Sequence, residues 1–379
     1  MIKSISIKKF KSLVDMELEL SDFTCLIGLN GSGKSTVLQA IDFIGQMMRG
    51  KLSDWARSRR WNWKDIPSRL GQKALGRVIS FKVTAEVKAG MIVWDCQFNC
   101  AEKFLRCTKE SVRSGSDSGN LLMEVKDGDY RIGAAPFRRI EFDYQGSILS
   151  QLKDSSLDGQ AELLELKKLI GSIKSMDLLS PPQMRERARS VEEVGPGGEG
   201  LSAFIDGMTD KERRELIDSL REVYPHLRDV ETKSLRSGWK ELKFKEKYEE
   251  ELVTEAHHMN DGTLRLATIF ALLARDDRIL LFDEIENGIN PEVMEGLVQR
   301  MIEAPRQVIV TTHSPMILNY LSDEVAERSV ILLYKNSEGH TKSTRFFDLP
   351  EARKKLTLLG PGEVFLDSDL REPVEIQES

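Results

Sequence analysis

One short stretch, Gly28-Leu29-Asn30-Gly31-Ser32-Gly33-Lys34-Ser35, limits what this chain can fold into more than any other feature. It fits the pattern GxxxxGK[ST], in which a glycine-rich loop turns its backbone N–H groups around phosphates. The apolar run Phe23–Ile27 predicts a buried strand before the loop, and apolar residues at helical spacing predict a helix from Thr36 to Met48 after it. The sequence therefore predicts a strand, a phosphate-binding loop and a helix, in that order.

The residues of this loop have separate predicted roles in binding ATP and Mg²⁺. Lys34 supplies a point charge to the phosphates, and Ser35 is the predicted Mg²⁺ ligand. The remaining predicted nucleotide-binding residues of the loop and helix start are Asn30, Gly31, Ser32, Gly33 and Thr36. The alternative is an ordinary glycine-rich turn before a helix, which the matching strand and helix on either side disfavour.

Two acids follow another apolar run. Asp283 and Glu284 come directly after Ile279–Phe282, and α/β sheets bind ligands at the carboxyl ends of their strands. We therefore expect Asp283 to hold Mg²⁺ and Glu284 to act as the base that activates water. Taken alone, such a pair suits a helix cap better, and only the phosphate loop upstream favours the catalytic interpretation.

His313 follows a second apolar run, Val308–Thr312. A histidine at the end of such a strand can reach a γ-phosphate as a hydrogen-bonding sensor. The alternative is a structural role at the start of the next helix.

The rest of the pattern predicts an α/β fold. Residues 77–142 largely alternate apolar and polar side chains, which predicts an antiparallel sheet. Leucines at helical spacing predict a mostly helical insertion from residue 150 to 250. The last third alternates strands and helices, which is typical of a largely parallel sheet covered by helices.

Composition narrows the function classes. The net charge of −6 means that the surface as a whole is not positively charged, so any nucleic-acid contact would come from local basic patches.

The three tryptophans between Trp55 and Lys64, interleaved with basic residues, could stack on bases, hold a protein partner, or pack the edge of the sheet beside the nucleotide. Four cysteines are too few for a disulfide scaffold. Without an apolar run of membrane-spanning length or a secretory signal, we expect a cytoplasmic protein with no membrane partner.

Together the motifs resemble the ABC-type ATPase heads of the SMC and RecF-like branch. They are most similar to the small AAA-family ATPases related to the ATPase half of overcoming-lysogenisation-defect (OLD) proteins. The resemblance covers Ile2 to about Leu321, and the residues that carry it are Phe10-Lys11-Ser12, Gly28 to Thr36, Met259 to Arg265, Phe282 to Pro291 and Thr312 to Pro315.

The resemblance implies an ABC-type P-loop head with a mixed or parallel sheet, an antiparallel β subdomain and a helical insertion. The expected division is an N-terminal ATPase lobe at 1–149, the insertion at 150–250, a C-terminal ATPase lobe at 251–366 and a frayed tail at 367–379.

Further site residues are implied by the resemblance alone. Asn260, Asp261 and Gly262 would form the signature motif, which contacts the γ-phosphate of ATP held by the other subunit; Asn260 stands where Ser is usual. Asn287 would lie in the loop that couples two active sites. Gln145 is the candidate Mg²⁺ sensor, with a plain turn residue as the alternative.

The implied function is an ATP-hydrolysing switch that dimerises head to head around MgATP, as a homodimer or a higher oligomer. The expected setting is prokaryotic anti-phage defence or DNA maintenance. A separate effector protein is expected, because the 66 residues after His313 are too few for the nuclease half of OLD proteins. DNA is a candidate partner. The alternatives are a scaffold that binds ATP with little turnover, which Asn260 motivates, and a RecF-like DNA-repair clamp.

Overall fold

The structure is a computed structural model that describes residues 1–70, 76–101, 105–157, 159–189, 193–275 and 279–370 of the 379-residue chain. The strands are β1 (Ile2–Phe10), β2 (Leu13–Glu19), β3 (Phe23–Ile27), β4 (Val78–Val87), β5 (Gly90–Asn99), β6 (Cys107–Ser114), β7 (Leu121–Lys126), β8 (Asp129–Ile132), β9 (Arg138–Arg139), β10 (Lys174–Ser175), β11 (Leu227–Ser234), β12 (Lys240–Lys247), β13 (Glu251–Glu255), β14 (Leu280–Phe282), β15 (Val308–Thr311), β16 (Val330–Lys335) and β17 (Thr341–Arg345).

The α-helices are α1 (Lys34–Arg49), α2 (Leu52–Ser58), α3 (Ala161–Gly171), α4 (Pro181–Met184), α5 (Leu201–Asp206), α6 (Asp210–Val223), α7 (Asp261–Ala274), α8 (Met294–Glu303), α9 (Pro315–Asn319), α10 (Asp323–Ser329), α11 (Pro350–Leu356) and α12 (Pro361–Leu366). Short 3₁₀ helices cover Trp63–Asp65, Ile148–Ser150, Asp154–Leu157, Arg236–Gly238, Ala256–His258, Pro291–Val293 and Phe346–Asp348.

The parallel sheet positions the candidate site. Its strand order is β10-β14-β15-β3-β16-β17, and only the last pairing, β16 with β17, is antiparallel. Strands β3, β14 and β15 are short and buried at every residue, as expected for strands covered on both faces. Because these three strands run in the same direction, their carboxyl ends meet at one edge of the sheet. This confirms the predicted parallel sheet of the last third.

The second sheet is antiparallel and has the order β2-β1-β4-β5-β6-β7-β8-β9. Along β4 the side chains alternate between buried and partly exposed, so one face of this sheet turns to the core. The alternation between residues 77 and 142 therefore predicted the sheet correctly, and β1 and β2 extend the same sheet.

Helix α1 fills the space between the two sheets. One apolar cluster joins α1 to α3, to the inner face of the antiparallel sheet and to one face of the parallel sheet. The opposite face of the parallel sheet packs against α5 to α9 in the other cluster. The order of layers is thus antiparallel sheet, α1 with α3, parallel sheet, and an outer layer of helices. Within the described ranges, no helix is long and apolar enough to span a lipid bilayer.

The predicted helical insertion is confirmed only in part. Helices α3 to α6 lie between residues 161 and 223, but β11, β12 and β13 then form a small antiparallel sheet. The prediction of a mostly helical segment at 150–250 therefore fails from residue 227 onwards. The strands were hidden by their composition, because lysine and glutamate favour helices and are depleted in strands.

The C-terminal end is described as far as residue 370. Lys355 Nζ lies 3.0 Å from Asp367 Oδ2 and donates a hydrogen bond of 2.6 Å to the Asp367 carbonyl, so the first residue of the predicted tail is held by α11. The rest of the predicted frayed tail, residues 371–379, lies outside the described residues.

A buried cluster of three charged side chains links α1 to the segments that contain Arg59 and Asp177. Arg59 follows α2 and contacts Asp42 of α1 at 2.8 Å and Asp177 at 2.5 Å, and each of the three side chains is only 4% exposed. The Trp55 indole donates to Asp42 Oδ2 at 2.5 Å and packs edge-on against Phe43, with ring centroids 5.3 Å apart. Trp55 therefore packs against the middle of α1, which is a packing role for this one tryptophan of the segment.

We expect Arg59→Met to lower the free energy of unfolding by about 3–5 kcal/mol, because it leaves two buried carboxylates without their cation. The matched control is Arg57→Met, since the one ion pair of Arg57 among the described residues is the exposed pair with Asp54, and its loss should change stability by about 0.5 kcal/mol or less. Urea unfolding of both variants followed by circular dichroism measures the difference. Equal midpoints for the two variants would contradict a stabilising role for the buried cluster.

Candidate functional site

The glycine-rich loop connects β3 to α1, as predicted. At Gly28 φ is +143°, and a Cβ there would lie 2.2 Å from the carbonyl oxygen of Leu333. At Gly33 φ is +112°, and a Cβ would lie 2.5 Å from Thr341 Oγ1. Both positions combine a left-handed backbone with no room for a side chain, so the loop can keep this path only with glycine.

Lys34 begins α1 and its side chain folds back over the loop. Its Nζ donates to the carbonyl oxygens of Gly28 at 2.8 Å and Leu29 at 3.2 Å, and it lies 3.5 Å from His313 Nδ1. Burial lowers the pKa of Lys34, and the nearby carboxylates of Asp283, Glu284 and Glu286 oppose that shift. The ammonium group is therefore held at the loop by carbonyl oxygens and by the field of three acids.

Ser32 gives the loop a further polar group. Its Oγ is buried and has no hydrogen-bond partner among the described residues. Its carbonyl oxygen accepts a 2.9 Å hydrogen bond from Thr341 Oγ1, which ties the loop to β17. A buried hydroxyl without a partner costs free energy unless a ligand or water satisfies it. Together with the loop amides and Lys34, Ser32 is suited to phosphate oxygens.

The acidic pair lies at the carboxyl end of β14, at the same edge of the sheet. Asp283 Oδ1 accepts a 2.5 Å hydrogen bond from Thr311 Oγ1, and the same hydroxyl oxygen accepts a 2.8 Å bond from the Glu284 amide. Thr311 ends the neighbouring strand β15, so it fixes both acids relative to each other. Sequence analysis missed Thr311; the only signal was a polar residue at the end of an apolar run.

Glu284 has a left-handed backbone, with φ of +47°. Non-glycine residues rarely adopt this conformation, and where they do the surrounding structure holds them in it. The turn directs Glu284 to an exposed position while Asp283 is half-buried. The two carboxylates therefore face different surroundings, as metal binding and base catalysis require.

His313 lies between Lys34 and Glu284. Its Nε2 is 3.9 Å from Glu284 Oε1, and its backbone N–H donates to Glu286 Oε1 at 2.7 Å. The other oxygen of Glu286 is buried and has no hydrogen-bond partner in the described part of the chain. Ser314, and not His313, is the N-cap residue of α9. The histidine thus belongs to the cluster around Lys34, and Glu286, which the resemblance places at the start of the coupling loop, also holds the backbone of His313.

The predicted signature residues lie at the start of α7. Asn260 Oδ1 accepts a 2.8 Å hydrogen bond from the Thr263 amide and caps the helix, while its Nδ2 makes only a 3.9 Å contact with Met259 Sδ. Arg185 holds the same turn, donating to the Met259 carbonyl at 2.8 Å and to Asp261 Oδ1 at 2.5 Å. Asparagine and serine are equivalent N-caps, so Asn260 fills the structural role of the usual serine.

The signature turn abuts the loop after the acidic pair. A Cβ on Gly262 would lie 3.0 Å from the carbonyl oxygen of Gly288, next to the exposed Asn287. Asn260 and Asp261 are also exposed. Among the described residues, no hydrogen bond or ion pair joins the side chains of Asn260 or Asp261 to Lys34, Asp283 or Glu284. Asn260 and Asp261 therefore form an exposed polar surface that is not bonded to the cluster around Lys34 within the described residues.

Gln145 does not reach this site. Its side-chain amide exchanges two hydrogen bonds with Ser53, accepting from the backbone N–H at 2.9 Å and donating to Oγ at 2.7 Å. Two residues on, the Ser147 amide donates to Met47 at the far end of α1, which is about 20 Å from Lys34 at 1.5 Å per helical residue. The prediction of Gln145 as a Mg²⁺ ligand is therefore wrong, and its alternative as a turn residue fits the structure.

The donor set suits a Mg²⁺ ion that is bound together with a nucleotide. Ser35 lies in the first turn of α1 and Asp283 at the end of β14, which supplies one hydroxyl and one carboxylate. In the part of the chain that is described, no group of three His, Cys, Asp or Glu side chains could hold a metal by itself. Mg²⁺ is commonly bound by one or two protein groups, substrate phosphates and water, so these residues fit MgATP.

Two family models match different parts of the chain. Residues 1–102 match a family described as "AAA ATPase domain", and residues 150–319 match one described as "AAA domain, putative AbiEii toxin, Type IV TA system". The first range contains the phosphate loop, and the second contains the signature turn, the acidic pair and His313.

Curated proteins match over short segments. A 44-residue segment is 43% identical to the OLD nuclease of Thermus scotoductus and covers 12% of this chain and 8% of that protein. A 72-residue segment is 26% identical to the energy-coupling factor transporter ATP-binding protein EcfA of Methanothermobacter thermautotrophicus, covering 18% of this chain and 23% of that protein. These matches thus span less than a quarter of either relative.

Solved structures match over nearly the whole fold. An Smc head bound to the C-terminal winged-helix domain of ScpA gives a TM-score of 0.58 at 15% identity, covering 90% of this chain and 97% of that one. The Smc head from Pyrococcus furiosus, solved with an extended coiled coil and the C-terminal domain of ScpA, gives 0.54 at 13% identity, with coverage of 90% and 95%. At these identities the likeness shows the fold alone. With the AAA family models and the segment shared with the OLD nuclease, this fold makes the chain similar to ABC-type, SMC-like AAA ATPases and to the ATPase domain of OLD proteins.

Proposed function

We propose that this protein is an ATP-hydrolysing molecular switch that dimerises head to head around MgATP. The observation that carries the proposal is the convergence of Lys34, Asp283, Glu284 and His313 at the carboxyl edge of the parallel sheet. A phosphate loop with an acid pair at the same edge of the sheet, one strand away from the strand before the loop, is an arrangement suited to phosphoryl transfer to water.

In this proposal each residue has one task. Lys34, Ser32 and the loop amides bind the phosphate oxygens, and Ser35 and Asp283 hold Mg²⁺, which neutralises charge on the phosphates when bound. Glu284 orients and deprotonates the attacking water. Thr311 positions both acids, and His313 contacts the γ-phosphate.

The dimerisation part of the proposal is supported by two polar surfaces, the cluster around Lys34 and the exposed start of α7. Within the described residues, the start of α7 is not hydrogen-bonded to Lys34, yet it exposes Asn260 and Asp261, with Asn260 Nδ2 in only a 3.9 Å contact with Met259 Sδ. Helix N-termini bind anions. A second chain that places this turn against the γ-phosphate would complete each site, so ATP would hold two heads together and hydrolysis would release them.

The proposal also includes a biological setting for the ATPase. The segment similar to an OLD nuclease and the family described with a toxin system support a role in prokaryotic anti-phage defence or DNA maintenance. In that setting this chain would act as the sensor or regulator and a separate protein as the effector. A scaffold with little turnover and a RecF-like clamp stimulated by DNA are the competing functions, and ATP turnover with and without DNA separates them.

We expect Lys34→Ala to weaken ATP binding at least about tenfold, because it removes the charge nearest the phosphates. Lys51→Ala, the same change at an exposed position just past the far end of α1, should bind ATP normally. Isothermal titration with a non-hydrolysable ATP analogue measures both. Normal binding by Lys34→Ala would remove the phosphate-loop assignment.

Glu284→Gln should keep ATP binding and lower phosphate release by about 100-fold or more, the usual contribution of a general base. The variant should therefore accumulate as an ATP-bound dimer, which light scattering coupled to gel filtration detects. A variant that stays monomeric with MgATP would contradict the head-to-head mechanism. Absence of turnover in the wild-type protein, with or without DNA, would favour the scaffold.

Asn260→Asp should preserve the cap of α7 but abolish ATP-dependent dimerisation, because a carboxylate would then face the γ-phosphate of the partner's ATP. Mixing it with Lys34→Ala gives the sharper test. Each mixed dimer has one complete site, so the mixture should regain up to about a quarter of wild-type turnover if subunits pair at random. No recovery on mixing would show that the two surfaces do not act across a dimer.

A further inference from the structure

A groove with a volume of about 960 Å³ lies on the side of the antiparallel sheet, and its described lining contains no residue of the phosphate loop. We call it the tryptophan groove. It runs between the segment after α2 and the ends of β4 and β5, and its principal lining residues are Arg57, Trp61, Trp63, Lys64, Arg69 and Arg77. None of the residues used in the proposed ATPase mechanism lines it.

The charge of the tryptophan groove is one-sided. Its described lining residues include four arginines or lysines and no aspartate or glutamate, although the whole chain carries a net charge of −6. Arg57 and Arg69 form exposed ion pairs with Asp54 and Asp65 outside the groove lining, and such pairs bind weakly. Lys64 and Arg77 have no ion pair among the described residues. The groove is therefore complementary to a polyanion.

Two half-buried indoles add flat apolar surface to the same groove. The chain between them is extended, with φ −91° and ψ 143° at Asn62, so Trp61 and Trp63 lie on one side of the backbone. Trp61 packs edge-on against Trp55 at 5.2 Å, and Lys11 Nζ lies 3.1 Å from its ring centroid. Trp63 packs against Phe98 at 6.5 Å. These contacts hold the rings in place, which limits the entropy lost when a ligand contacts them.

We propose that the tryptophan groove binds single-stranded nucleic acid, with an unpaired base stacking on Trp63 and the backbone phosphates contacting Lys64 and Arg77. Aromatic rings set in a positively charged groove bind single strands with little sequence preference, because every base has a stacking face. A duplex hides those faces, so it gains only the phosphate contacts.

The test measures binding of a fluorescently labelled 20-nucleotide oligothymidine to the full chain by anisotropy, beside a duplex of the same length. We expect the single strand to bind more tightly than the duplex. The double variant Lys64→Glu with Arg77→Glu should weaken single-strand binding about tenfold or more and make it less dependent on salt, since each phosphate contact contributes about 0.7 to the logarithmic salt slope. The matched control, Lys211→Glu with Lys354→Glu, makes the same charge change at exposed positions on α6 and α11 and should bind like the wild type.

A second pair of variants tests stacking. Trp63→Ala should weaken binding about tenfold, whereas Trp63→Phe should retain most of it. Basal ATP turnover should stay unchanged in every groove variant, so failure of this inference and failure of the ATPase proposal are distinguishable. No binding by the wild type, equal binding by the groove and control double variants, or equal affinity for duplex and single strand would each overturn the proposal. Equal affinity for the two would indicate phosphate contacts without base stacking, whereas either of the first two results would leave a protein partner as the better occupant.

Discussion

The burial of α1 is the constraint on which the rest of this structure depends. Its apolar residues contact the inner face of the antiparallel sheet on one side and the parallel sheet on the other, so the helix has little freedom to slide or turn. Its first residue is Lys34, and the phosphate loop is therefore fixed by packing that lies well away from the ligand. The buried pairs of Arg59 with Asp42 and Asp177 add a polar fastening to the same helix.

Parallel strands bring the remaining groups to this fixed point. β14 and β15 are neighbours of one sheet and end at the same edge, so Asp283 and Thr311 meet although they are distant in sequence. Thr311 holds Asp283 through its side chain and Glu284 through its backbone N–H, so the two acids are preorganised. In the same way, the carboxylate of Glu286 holds the backbone N–H of His313. Preorganised groups need little rearrangement during the reaction, which is the main electrostatic advantage of an enzyme site over water.

The sequence carried the information for the parts of the molecule that depend on local pattern. The buried runs of β3, β14 and β15, the alternation of β4 and the phosphate-loop motif each have a period or composition that a single conformation explains. The residues that link elements, Thr311 and Glu286, have no such signal, because their partners are set by strand order and not by spacing. Gln145 is a second example of this limit. The family resemblance suggested that it is a metal ligand, whereas the fold places it beside Ser53 at the far end of α1. The strands after residue 227 were missed because only a few of their residues are apolar and their many lysines and glutamates favour helix.

The enclosure of α1 also limits how such a chain can change over time. One inserted or deleted residue would rotate everything beyond it by about 100° around the helix axis, since a turn takes 3.6 residues. A helix with one solvated face can absorb such a rotation in part, but α1 is buried against layers on opposite sides and would lose contacts with both. Substitutions in α1 can therefore be tolerated, whereas insertions and deletions cannot. Differences in chain length between relatives of this protein should accordingly be found in the surface connections and in the segment between α3 and α7, and not between the phosphate loop and Gly50.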